Sequence, residues 1–240
     1  MTERPFLWKS LQGLARLLTT ALFELKVDGL RHVPARGGVL IVSNHQGNLD
    51  PILLGVRMLR PLSYFAKSEL FEVNALANWL LRSLGGIPVR LGSGDVGAVK
   101  ETIRRLQDGH VLNIYPEGSR SEDGEIGPME KGVALVVRRA RVPVVPAVIV
   151  GSFEAWPRHR QFPRPSPIRV RYGPPMHFDG LEADQIVATI DSTLRRMFEE
   201  LRGDPAPAGR RVASSIEPSS RPRAGNRLIR PVPPEYPERG

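Results

Sequence analysis

The stretch Val39-Leu40-Ile41-Val42-Ser43-Asn44-His45-Gln46-Gly47-Asn48-Leu49-Asp50-Pro51 holds two signals in thirteen residues. Val39–Ser43 is a short, continuous apolar run of the kind that forms a strand covered on both faces. Asp50-Pro51 is a helix start, with Asp at the N-cap and Pro at the first helical position. A buried strand feeding a helix through a polar turn is the unit from which α/β domains are built. Further candidate strands are Leu62–Ala66, Gly86–Arg90, His110–Tyr115, Val144–Val150 and Ile168–Tyr172. Between them fall candidate helices at Pro51–Leu59, Glu69–Leu84, Asp95–Gln107, Glu130–Arg139 and Glu182–Leu201. This alternation predicts an α/β domain with a central, largely parallel sheet flanked by helices.

The domain ends differ in character. Leu7, Leu11, Leu14, Leu18, Leu22 and Leu25 recur at steps of three and four, which predicts an amphipathic helix over 6–26. Its apolar residues, with Lys9, Arg16 and Lys26 off the stripe, suit a helix lying in a membrane interface. Packing on the domain core is the alternative. No run approaches 18 consecutive apolar residues, so no transmembrane span is predicted. Residues 204–240 hold eight Pro and seven Arg with few aliphatics, and are expected to be a disordered tail. The expected organisation is therefore an interfacial helix over 1–27, a domain over 28–203 and the tail.

The 240-residue chain carries 34 Lys+Arg against 25 Asp+Glu, a net charge of +9. Such a balance calls for an acidic partner: nucleic acid, an anionic membrane or a phosphorylated substrate. The absence of Cys excludes disulfides, Cys-ligated metals and a thiol nucleophile. Nothing has metal-ligand spacing, and no metal is expected. Basic–aromatic interleaving is absent, and aromatics are only 6% of the chain, which disfavours a nucleic-acid binder.

Three motifs carry candidate chemistry. In His45…Asp50 a spacing of five does not place both residues on one helical face. A strand-to-helix turn between them does allow the carboxylate to fold back onto the imidazole. Such a pair fixes the tautomer, frees the other ring nitrogen as a base and stabilises the imidazolium. Tyr115-Pro116-Glu117-Gly118-Ser119-Arg120-Ser121 follows another apolar strand, at the end where open α/β sheets bind ligands. There Gly118 permits close backbone approach, and Arg120 offers a fork matched to phosphate oxygens. Gly92-Ser93-Gly94-Asp95-Val96-Gly97 fits a Gly-x-Gly-x-x-Gly dinucleotide fingerprint, with Glu117 lying 20 residues beyond Gly97. Against that rival, Pro88 interrupts the preceding strand.

Taken in order, the His45–Asp50 and Glu117–Arg120 motifs resemble the glycerolipid acyltransferase superfamily, and within it bacterial 1-acyl-sn-glycerol-3-phosphate acyltransferases. Lys67-Ser68-Glu69-Leu70, Gly86-Ile87-Pro88-Val89-Arg90, Lys131-Gly132 and Val142-Pro143-Val144-Val145-Pro146 resemble further blocks of that superfamily. The resemblance covers about 28–175. It departs at Leu91, where the family usually carries Arg, and at Ser119, where Thr is commoner.

The resemblance implies His45 as general base and Asp50 as its orienting partner. It implies Glu117, Gly118, Ser119 and Arg120, with Lys67 and Arg90, as the groups that hold an acceptor glycerol phosphate. It implies a lysophospholipid acceptor, lysophosphatidic acid giving phosphatidic acid, or another lysolipid. The donor would be an acyl-CoA or acyl carrier protein thioester. No further cofactor is implied, nor any covalent acyl-enzyme. The place of action would be the cytoplasmic face of the cell membrane, held peripherally or monotopically, with no role for nucleic acid.

Overall fold

The computed structural model describes residues 5–83, 85–89 and 96–204. Leu84, Arg90, most of the Gly-rich motif (Gly92–Asp95) and all of the 204–240 tail except Asp204 lie outside those residues.

Seven strands form one sheet in the order β1-β7-β6-β2-β5-β3-β4. They are β1 (Lys26–Asp28), β2 (Val39–Ser43), β3 (Leu62–Lys67), β4 (Gly86–Val89), β5 (Val111–Ile114), β6 (Val144–Val150) and β7 (Arg169–Tyr172). Every neighbouring pair is parallel except β6 with β7. The helices are α1 (Pro5–Phe23), α2 (Asp50–Gly55), α3 (Ser68–Glu72), α4 (Ala75–Ser83), α5 (Val96–Gln107), α6 (Gly132–Ala140), α7 (Ser152–Ala155) and α8 (Ala183–Gly203).

The predicted apolar strands are the middle of this sheet. All five β2 residues are buried, because side chains alternate between two covered faces. Leu40 and Val42 point into a core shared with Leu106 of α5, Val136 of α6 and Ile190 of α8. Val39 and Ile41 point into a second core with Leu53 and Leu54 of α2 and Phe23 of α1. The helices that follow the adjacent strands β2 and β5 thus leave to opposite faces. A crevice opens between two chains departing in this way, at the carboxyl ends of their strands, and ligands bind there in open α/β sheets.

Several boundaries differ from the sequence expectation. The helix expected over Glu69–Leu84 is two helices, α3 and α4, broken at Val73-Asn74. The N-terminal helix stops at Phe23, because Glu24 takes a positive φ of 44°. Lys26 then enters β1, so 26–28 belong to the sheet and not to the helix. Asp50 is the first residue of α2 rather than its N-cap, a position Leu49 occupies. Asp204, assigned to the tail, is paired with Arg171 at 2.5 Å.

The face that α1 turns to the domain is not its leucine stripe. Gln12 Nε2 donates to the carbonyls of Gly55 (3.2 Å) and Met58 (2.7 Å). Ala15, Thr19 and Phe23 continue this docked face. The stripe leucines Leu14, Leu18 and Leu22, together with Leu17, are exposed by 46–66%. Leu70, Leu76, Trp79 and Leu80 of α3 and α4 are exposed as well, whereas Phe71 is buried. Among the described residues no helix is long and apolar enough to cross a membrane.

Candidate active site

β2 delivers Asn44 and His45 to the crevice. Asn44 is buried and behaves as one more ladder residue: Nδ2 donates to Ile149 O (2.9 Å), and Oδ1 accepts from Ile149 N (2.8 Å). The turn that follows is wound around Asp50, whose side chain is fully buried. One carboxylate oxygen, Oδ2, accepts from the backbone N–H of Gln46 (2.7 Å) and of Gly47 (2.8 Å), and lies 2.8 Å from His45 Nδ1. The other oxygen accepts from the hydroxyl of Ser152, at the start of α7. The carboxylate does fold back onto the imidazole across the turn.

His45 is half-buried, and its Nε2 has no partner among the described residues. The Tyr115 ring stacks flat against its imidazole, with centroids 3.8 Å apart and planes 12° apart. Burial pushes the Tyr115 phenol well above its usual range, and its hydroxyl is buried without a partner. His45 and Tyr115 form part of the wall of a cavity of about 330 Å³, otherwise mostly apolar, with Phe65, Val89, Val99 and Val136 among its lining.

β5 delivers the second motif. Both Glu117 oxygens are engaged by backbone: Oε1 by His45 N (2.8 Å) and Oε2 by Gly127 N (2.8 Å). Burial nonetheless pushes the Glu117 carboxyl above its ordinary range. Glu117 therefore braces the His45 turn, where the sequence expectation had it facing the acceptor. Gly118 has a φ of +69°, a conformation that L side chains rarely adopt. Ser119 is exposed, and Arg120 is half-buried with its guanidinium donating to Asn48 Oδ1. Burial first, then the neighbouring charge of Arg158, holds the Arg120 guanidinium below its usual range. Ser121 N donates to His45 O at 2.7 Å and locks the two motifs together.

Lys67, exposed at the end of β3, lies at the same carboxyl edge, with β5 between its strand and β2. Arg90 lies outside the described residues. Sequence reasoning did not single out Ser152, the stacked Tyr115 or the Asn48 bridge. Gly97 lies in the first turn of α5, but the Glu117 that a dinucleotide fingerprint would use is taken by the backbone of His45 and Gly127.

Known proteins resemble this chain in sequence and in fold. The sequence model described as Acyltransferase matches residues 24–150, which is more than half of the chain. The chain is 26% identical over 181 residues to the 1-acyl-sn-glycerol-3-phosphate acyltransferase of Bacillus subtilis, covering 74% of this chain and 87% of that one. It is 31% identical over 192 residues to the mouse 1-acyl-sn-glycerol-3-phosphate acyltransferase alpha, covering 75% and 66%. The crystal structure of the 1-acyl-sn-glycerophosphate (LPA) acyltransferase PlsC from Thermotoga maritima superposes with a TM-score of 0.72 at 25% identity, covering 83% of this chain and 82% of that one. On the family match, the chain belongs to the acyltransferase family.

Proposed function

We propose that this acyltransferase moves an acyl group from an acyl-CoA or acyl carrier protein thioester to the free hydroxyl of 1-acyl-sn-glycerol-3-phosphate, giving phosphatidic acid. The observation that carries this reading is the His45 imidazole. Nδ1 is held by a buried carboxylate, and Nε2 has no partner among the described residues, on a ring that lines a mostly apolar cavity. The names of the curated relatives support the choice of acceptor.

In this mechanism Nε2 takes the proton of the acceptor hydroxyl as its oxygen attacks the thioester carbonyl. Asp50 stabilises the imidazolium that forms. The tetrahedral adduct then breaks its C–S bond. The leaving thiolate recovers the proton from Nε2, and the base is regenerated. Tyr115 keeps the imidazole in plane. Gly118, Ser119 and Arg120, with Lys67 and Arg90, hold the acceptor phosphate, which brings the hydroxyl to the base. The cavity takes apolar acyl chain.

Both lipids reside in a bilayer. The exposed leucines of α1 support peripheral attachment to an anionic membrane, at its cytoplasmic face. The test is to incubate purified protein with one acyl thioester and a panel of lyso-acceptors, and to follow the products by lipid mass spectrometry. Phosphatidic acid from the wild type and none from His45→Ala is the expected result. Transfer by His45→Ala at the wild-type rate, with the fold intact, overturns the assignment of the base.

A further inference from the structure

Arg120 lacks acceptors for most of its guanidinium fork. One Nη1–H donates to Asn48 Oδ1, and the rest of the fork has no partner among the described residues. Asn48 is itself fastened to the segment after α7. Its backbone N–H donates to Trp156 O at 3.0 Å, and its Nδ2 to Pro157 O at 3.3 Å. The next residue is Arg158. A second guanidinium is thereby brought near Arg120, close enough for its charge to be felt there, with the Asp50 charge opposing it. Among the described residues the one carboxylate paired with Arg158 is Glu122, at 3.3 Å and 84% exposed, where solvent screens it.

Two guanidiniums at one edge of a catalytic crevice repel each other, and the more buried of them is short of acceptors. A phosphate monoester removes both penalties at once. It carries up to two negative charges and offers three terminal oxygens, and guanidinium forks match those oxygens in pairs.

Resting on the acyl-transfer reading above, we propose that Arg158 is a second arginine for the acceptor's phosphate monoester. It closes on that group from the β6 side while Arg120 holds it from the β5 side, with Asn48 setting their spacing. None of the blocks that carry the family resemblance contains Arg158. It is a substrate-positioning and specificity residue, selecting phosphorylated lysolipids over neutral ones.

The experiment compares wild type, Arg158→Ala, Arg158→Glu, Arg158→Lys and Glu122→Ala in steady-state transfer. Lysophosphatidate and a monoacylglycerol serve as acceptors, and acyl-CoA as donor. Losing a charge-assisted contact to phosphate is expected to raise the KM for lysophosphatidate about tenfold or more in Arg158→Ala. Arg158→Glu is expected to raise it further, and Arg158→Lys to recover part of the loss. The KM for acyl-CoA, which also carries phosphates, stays within about twofold, and monoacylglycerol transfer does not fall. Glu122→Ala leaves the acceptor KM unchanged or lowers it, which separates a phosphate contact from a structural ion pair. An acceptor KM unchanged in both Arg158→Ala and Arg158→Glu, with wild type active, overturns the second arginine alone. A rise confined to the acyl-CoA KM overturns it in favour of a donor contact. A wild-type protein that acylates neither acceptor, with acyl-CoA or with an acyl carrier protein thioester as donor, overturns the acyl-transfer reading, and the second arginine with it.

Discussion

Asp50 holds His45 with the same oxygen that shapes the loop between them. Oδ2 lies 2.8 Å from Nδ1 and also accepts the backbone N–H groups of Gln46 and Gly47. Orientation of the base and conformation of the turn are therefore one interaction. Replacing Asp50 with Asn turns one end of the side chain from acceptor to donor. With the NH₂ toward the backbone N–H pair and His45, those donors lose their acceptor. With it toward Ser152, the hydroxyl must accept and its own O–H loses its partner. In either orientation the negative charge that stabilises the imidazolium is gone. Asp50→Asn is expected to lower kcat by about 10²–10⁴-fold, the range for a disabled general base. Stability should fall by about 1–3 kcal/mol from unsatisfied buried donors. Steady-state transfer and urea unfolding of one preparation separate the two effects.

Gly47 is a second point at which turn and chemistry are tied. A Cβ added there would meet Ser152 O and Oγ at 2.7 Å and Trp156 O at 2.8 Å. Two of these are backbone oxygens of the segment that follows β6, and cannot swing aside as a flexible side chain does. Gly47→Ala is expected to destabilise the protein by about 1–3 kcal/mol, the usual cost of overpacking. It should also lower kcat, because the displaced Gly47 N–H is a ligand of Asp50 Oδ2. A lower urea midpoint at unchanged slope, together with reduced turnover, is the expected pair of results.

These two positions show where sequence reasoning reaches and where it stops. Val39–Ser43 and Val144–Val150 were legible as strands because both their faces are buried, so every residue but Ser43 is apolar. The His45–Asp50 pair was legible because local chain geometry alone can close it. Ser152 and Trp156 were not. They reach the His45 turn only because β6 pairs with β2, which brings together residues about 100 positions apart that no local pattern marks. β1 was missed for a different reason. Three residues on an edge strand, Lys26-Val27-Asp28, carry too little alternation to be seen. Glu117 was singled out, but its partners, the backbone N–H groups of His45 and Gly127, were not. A free carboxylate and one saturated by two backbone N–H groups have the same sequence. In the N-terminal helix the periodicity was visible, but not the side on which the domain sits. That depends on Gln12 and Thr19, polar residues whose docking the apolar stripe does not reveal.

Glu101 gives a pH-dependent prediction away from the site. Hydrogen bonds from Arg104 and Arg105 on α5 pull its carboxyl from 4.5 to about 2. A depressed folded-state value means that the carboxylate contributes stability above the unfolded value near 4.5. The contribution is lost as pH falls through about 2. Because the pairs lie at the surface, solvent screening limits the contribution to about 1 kcal/mol or less. Glu101→Gln is expected to be slightly less stable than wild type at neutral pH and low salt. The difference should shrink steadily as pH falls from 4.5 to 2, and should shrink also in high salt. Urea midpoints across that pH range provide the check.

The orientation of α1 makes the membrane reading testable without disturbing the fold. Gln12, Ala15, Thr19 and Phe23 face the domain, and Arg57 ties the end of the helix through Thr20 Oγ1 and Leu25 O, each at 3.1 Å. Leu14 and Leu18 are exposed and take no part in that docking. Replacing both with Gln should therefore change the urea midpoint by no more than about 0.5 kcal/mol in free energy, as for ordinary surface positions. In a bilayer interface the same two side chains would be partly withdrawn from water, and full burial of a leucine contributes about 1.5–3 kcal/mol. Even partial insertion of the pair predicts at least about tenfold weaker partitioning onto anionic vesicles by cosedimentation. Turnover of lysolipid presented in vesicles should fall in parallel, while turnover of detergent-dispersed lysolipid is retained. Equal vesicle partitioning of the double variant and wild type would mean that the leucine face serves some other contact, and that the enzyme reaches its lipids through another surface.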